Sequence, residues 1–178
     1  MKEILTLVVI LAGFVLLSGC VHEENTGTLI LQITDKTSDL NITQALVTIS
    51  NIEVHLSAGG TSENETNNTS AGWYTVVETP QTFDLIEIKD VKEFLGSANL
   101  TAGWYTQIRL HVDKALVTID GVEYNLTIPS KTVKLIKPFQ IKNNQTTTLI
   151  LDFDAQKSIH KTGNNKFIMQ PTITITQE

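Results

Sequence analysis

The chain has 178 residues, a net charge of −6 and a pI near 5.2. Only one of its 13 basic residues, Arg109, is an arginine, so no basic stripe exists to neutralise phosphates and nucleic acid is excluded as a partner. Hydrophobic content of 41%, with Thr, Ile, Val and Asn prominent, favours strands over helices and excludes disorder and coiled coil.

Residues Ile4 to Leu17 form an apolar run interrupted only by Thr6, Ala12 and Gly13. It is too short to span roughly 30 Å of hydrocarbon comfortably and reads as the h-region of an export signal over residues 1–19. The run ends in Leu17-Ser18-Gly19-Cys20, which resembles the lipobox of prokaryotic lipoproteins. That resemblance implies cleavage before Cys20 and a diacylglyceryl group on its thiol, with two acyl chains giving durable attachment. The n-region departs from the pattern, because Glu3 offsets Lys2, and the alternative is an uncleaved signal anchor in which Cys20 is incidental. Cys20 is the one cysteine of the chain, so no internal disulfide forms and a lipid is the economical cap for its thiol. Removal of residues 1–19 leaves 159 of 178 residues, enough for a single domain over 28–178 behind a tether of 20–27. That tether reaches roughly 25 Å at most, which keeps the domain close to the bilayer.

Leu29, Leu31 and Ile33 alternate with Ile30, Gln32 and Thr34, the period of a strand with one face on a core. In Ala45 to Ser57 the apolar parity switches between Val47/Ile49 and Ile52/Val54/Leu56, so a bulge or bend at Ser50-Asn51 is expected. Residues 58–72 read as a solvated loop. Short strands are expected at Trp73–Val77 and Thr82–Ile88, then one short helix near 90–96 from the spacing of Val91, Phe94 and Leu95. Trp104–Asp113 places Ile108, Leu110 and Val112 on one face and Arg109, His111 and Asp113 on the other. Asp120-Gly121 between Ala115–Ile119 and Val122–Ile128 predicts a two-residue type I′ hairpin. Further strands are expected at Thr132–Ile136, Phe139–Ile141, Thr146–Phe153 and Phe167–Ile175, which together define an all-β, antiparallel two-sheet β-sandwich. Ala71-Gly72-Trp73-Tyr74-Thr75 recurs as Ala102-Gly103-Trp104-Tyr105-Thr106 without matching flanks, as expected of two strands that each follow a glycine turn.

N-x-[S/T] sequons occur at Asn41, Asn64, Asn67, Asn68, Asn99, Asn125 and Asn144, seven of the 12 asparagines. Chance in so Thr-rich a chain gives about two, so the excess points to an outward-facing glycoprotein; accidental sequons in a Thr-rich strand protein are the alternative. With the lipobox they suggest an archaeal cell surface more than a bacterial periplasm.

The order of features is then recognisable: Gly27 before a strand ending Thr34-Asp35; Phe83-Asp84-Leu85; Leu100 through Leu110; Ile128-Pro129-Ser130; Leu151-Asp152-Phe153-Asp154; and Phe167 to Ile173 with Pro171. This order resembles the domain of unknown function 4382 family of prokaryotic, notably archaeal, lipoproteins. The resemblance implies an exported β-sandwich similar to prealbumin-like, Ig-like or fimbrillin-like surface domains, with no activity attached.

No G-x-S-x-G, HExxH, CxxC, Walker or Rossmann pattern occurs after residue 20, so no catalytic residue and no cofactor is assigned. His55 and His111 with Asp113 are a weak metal candidate, against solvated strand histidines; His22 falls in the tether and His160 in a Lys/Asn loop. Asp152 and Asp154, with Asp35 or Asp84, are a weak calcium candidate, against strand-end carboxylates that cap a turn. Trp73, Tyr74, Trp104 and Tyr105 suit either a sugar-stacking platform or core packing. The sequence thus reads as a membrane-anchored envelope module, structural or binding, whose partners are membrane lipid through Cys20 and an envelope protein or polysaccharide. The alternatives are a pilus-like or matrix subunit assembling by strand exchange, and a carbohydrate-binding or metal-dependent envelope enzyme.

Overall fold

The computed structural model describes residues 25–35, 41–58 and 71–178. Twelve strands are present among the described residues: β1 (Thr26–Asp35), β2 (Ile42–Leu56), β3 (Gly72–Val77), β4 (Gln81–Asp84), β5 (Glu93–Thr101), β6 (Gly103–Ile119), β7 (Val122–Thr127), β8 (Thr132–Ile141), β9 (Thr146–Phe153), β10 (Ile159–Lys161), β11 (Phe167–Met169) and β12 (Ile173–Gln177). They form a four-stranded sheet in the order β12-β9-β1-β5 and an eight-stranded sheet in the order β10-β11-β7-β6-β2-β3, with β4 on β2 and β8 on β6. The inner faces of both sheets feed one hydrophobic core, so the expected two-sheet β-sandwich is the observed fold. Among the described residues no helix is long and apolar enough to cross a membrane.

The period-two pattern produces this core directly. Leu29, Leu31 and Ile33 of β1 are fully buried, while the residues between them are half-buried on the outer face. In β2 the buried positions run 45, 47, 49 and then 52, 54, 56, and the pairing with β6 slips on either side of Ile49, which is the bend expected at Ser50-Asn51. β6 is the longest strand and carries β2 along one side and β8 then β7 along the other. The β6–β7 turn has Asp120 at φ 51° and Gly121 at φ 77°, the left-handed pair that a type I′ turn requires. Tyr105 stacks on Phe139 with centroids 5.3 Å apart in the core, and its hydroxyl donates to Thr101 O at 2.9 Å.

Six expectations are corrected. Residues 93–101 are strand β5, not a helix near 90–96; the described α-helix is one turn, α1 (Ala155–Ser158). The sheets are mixed rather than antiparallel throughout, because β1 runs parallel to β9 and β11 parallel to β7. Thr132–Ile136 and Phe139–Ile141 are a single strand, which absorbs Lys137-Pro138 by a register shift against β6. Phe167–Ile175 splits at Gln170–Thr172, sending β11 and β12 to different sheets, and the strand expected over Thr82–Ile88 ends at Asp84. Thr26 and Gly27, expected to lie in the segment 20–27 ahead of the domain, already belong to β1.

The start of β1 is closely held. Ala102 N donates to Asn25 O at 2.8 Å, Asn144 N to Thr26 O at 2.8 Å, and Thr28 N to Gln145 O at 2.9 Å. A Cβ on Gly27 would stand 2.3 Å from Lys142 O, so only glycine fits there. Residues 25–27, 102–104 and 142–145 therefore gather at one end of the sandwich, the end at which β1 begins.

Candidate functional site

The outer face of the large sheet holds most of the chemistry-bearing side chains that the sequence singled out. β2 lies between β3 and β6, so the cross-strand partners His55–Trp73 and Glu53–Arg109 share one face. Arg109 extends across β2 and lays its guanidinium on the Trp73 ring, with Cζ 3.7 Å from the centroid. A cation so placed is worth about 0.5–2 kcal/mol. His55 packs against the same indole at 4.8 Å, and its Nδ1 lies 3.3 Å from Thr106 Oγ1. Arg109 Nε and Asn51 Oδ1 are buried here without a hydrogen-bond partner among the described residues.

His55 and His111 lie on neighbouring strands and the same face, yet they do not meet. His55 faces Gln107 and His111 faces Asn51, four register steps apart, or roughly 13 Å. His111 instead neighbours Thr132 Oγ1 at 3.4 Å, and Asp113 is exposed further along β6. His160 is exposed on β10. Among the described residues no three His, Cys, Asp or Glu gather as a metal site.

The aspartates of the calcium candidate hold local structure. Asp84 Oδ1 accepts from Ala45 N and Ile86 N, both at 3.0 Å, which fixes the turn after β4 onto β2. Asp154 caps α1 by accepting from Lys157 N at 3.0 Å, and its other oxygen pairs with Lys157 Nζ at 2.8 Å. That hydrogen bond and charge raise the Lys157 pKa. Asp35 is buried at the end of β1 and accepts from Ala155 N at 2.9 Å, while Asp152 is half-buried on β9.

The four aromatics of the proposed platform are separated. Tyr105 is in the core, where burial, and then Tyr74, hold its phenol far above its ordinary pKa of 10.0. Tyr74 meets it edge-on at 6.4 Å, Trp73 lies under Arg109, and only Trp104 is substantially exposed, at 45%. Trp104 borders an open groove of about 400 Å³ with Gln140, Lys142, Gln145 and Gln177. Among the sequons, Asn41, Asn99, Asn125 and Asn144 are exposed. Asn99 Oδ1 accepts from Thr28 Oγ1 at 3.0 Å, and Asn144 sits in the left-handed region at φ 54°. Cys20, His22, Asn64, Asn67 and Asn68 lie outside the described residues. The Arg109–Trp73 stack was not expected from sequence; its one signal was a solitary arginine on a polar strand face, and pairing with β3 through β2 has no local signature.

The described residues form a two-sheet β-sandwich around one core. The family described as a domain of unknown function (DUF4382) matches residues 26–171, and the chain belongs to that family. No curated protein matches. A crystal structure of a candidate cell adhesion protein from Bacteroides ovatus is similar at 12% identity and a TM-score of 0.26, over 86% of this chain and 44% of that one. The present chain thus spans less than half of that protein, and a likeness at this score carries no argument about function.

Proposed function

We infer that the chain is a lipid-anchored, outward-facing module of the cell envelope, with a structural or binding role. The observation that carries this reading is the position of Cys20, the cysteine of a lipobox-like Leu17-Ser18-Gly19-Cys20, six residues ahead of the first strand. So short a tether keeps the domain near the lipid, within about 20 Å. The exposure of all four described sequon asparagines supports an outward-facing, glycan-accepting surface. Replacing Cys20 with Ala is expected to move the protein from the membrane to the soluble fraction. Unchanged membrane retention would show that the h-region itself is the anchor. Intact mass of the native protein reports the lipid and any glycans in one spectrum, and a bare Cys20 behind an intact Met1 overturns the reading.

Assembly by strand exchange finds a foothold in β12, a five-residue edge strand that pairs with β9 among the described residues. Filaments in electron micrographs of surface preparations test it, and a strictly monomeric detergent extract removes it.

A further inference from the structure

Single exposed hydrophobic residues need no explanation, but two of the large ones here, Trp104 and Ile136, stand on one face of the large sheet. Ile136 of β8 is 83% exposed and Trp104 of β6 is 45% exposed. Trp104 pairs in register with Gln140, four positions along β8 from Ile136, and both side chains leave the outer face of the large sheet. The same strand is basic within an acidic protein. From Tyr124 to Leu151 the chain contains Lys131, Lys134, Lys137 and Lys142, and none of its 19 acidic residues. Glu178, which borders the Trp104 groove, has its carboxylate paired with Lys92.

This face also lies beside the tether. Ala102, two residues before Trp104, is hydrogen-bonded to Asn25, and Lys142 O closes over Gly27. From Asn25 back to Cys20 is five residues, a reach of roughly 18 Å. An indole is favoured where hydrocarbon meets water, and lysines beside it extend their ammonium groups to lipid headgroups. A lipid held at that distance keeps the face at high local concentration over the bilayer, so contacts too weak to bind alone suffice.

We propose that the β8 face, with Trp104 and Ile136 as its apolar contacts and Lys134 and Lys142 as its charges, rests on the same bilayer that holds Cys20. The proposal depends on the lipid-anchored reading above. The chain's two tryptophans supply the test, because Trp73 lies under Arg109 and serves as the internal reference. The lipidated full chain is placed in vesicles of phosphatidylcholine and phosphatidylglycerol, with and without bromine on the upper acyl carbons. Bromine is expected to quench most of the Trp104 emission, seen alone in Trp73→Phe, and to quench Trp73 emission, shielded by Arg109 and seen alone in Trp104→Phe, far less. Ile136→Asp is expected to restore the Trp104 signal, and replacing Lys134 and Lys142 by Gln to reduce quenching with the anionic lipid content. Protein that stays on the vesicles with Trp104 unquenched overturns the docking face and leaves the anchor standing. A native chain with bare Cys20 overturns the anchor, and the face with it.

Discussion

The pentapeptides 71–75 and 102–106 are identical in sequence and differ in almost every physical respect. The first opens β3 at the margin of the large sheet, where a Cβ on Gly72 would touch nothing. The second opens β6, flanked by β2 and β8, where a Cβ on Gly103 would stand 2.8 Å from Leu56 Cδ1. Tyr74 is half-buried and Tyr105 fully buried; Trp73 is pinned by Arg109, while Trp104 is open to its surroundings. Strand preference resides in neighbours and burial more than in the residues themselves, and this pair isolates that effect within one molecule.

The contrast is sharpest at the tyrosines. Tyr105→Ala is expected to cost roughly 3–5 kcal/mol in chemical denaturation, as for other large core aromatics, and Tyr74→Ala less than half as much. Equal losses would break the comparison. Alkali separates the two further. The fold holds Tyr105 neutral, so its contribution is complete below the unfolded pKa of about 10 and is lost as pH rises past it. Stability is expected to hold up to about pH 10 and to fall as pH rises further, and Tyr105→Phe to flatten that fall at the loss of one hydrogen bond, about 1 kcal/mol. The glycines come next: Gly103→Ala is expected to cost about 1 kcal/mol through crowding of Leu56, while Gly72→Ala is neutral or slightly stabilising. The tryptophans are expected to differ least in denaturation. Trp73→Ala loses about 1 kcal/mol with its cation–π contact, and Trp104→Ala changes stability by no more than about 0.5 kcal/mol.

Local signals in the sequence were read correctly where the responsible physics is local. The parity switch in β2 and the Asp120-Gly121 turn needed only the chain on either side of them. β5 was misread for a reason the structure makes plain. A register shift against β1 at Leu31/Gln32 buries Leu95 and Gly96 in succession while Phe94 points outward, and the resulting spacing with Val91 imitates a helix turn. The parallel pairing of β1 with β9 joins residues more than a hundred positions apart and leaves no turn signature between them. The metal candidates failed to assemble for a related reason. Residue parity puts His55 and His111 on one face, but only the β2–β6 register says how far apart along it they stand. Likewise the exposure of Ile136 was hidden, because alternation in β8 is interrupted at Lys137-Pro138 and the register shift that realigns it lies in the pairing partner.

β1 is not a margin strand of the small sheet. Eight of its residues pair in parallel with β9 and eight antiparallel with β5, and Asp35 fastens its far end to Ala155. If the chain is pulled from the start of β1 while the far end of the sandwich is held, tension runs along the β1 axis. Both ladders are then sheared together, so their hydrogen bonds share the force instead of parting one at a time as in a peeled hairpin. Mechanical resistance along β1 thus follows from strand order alone.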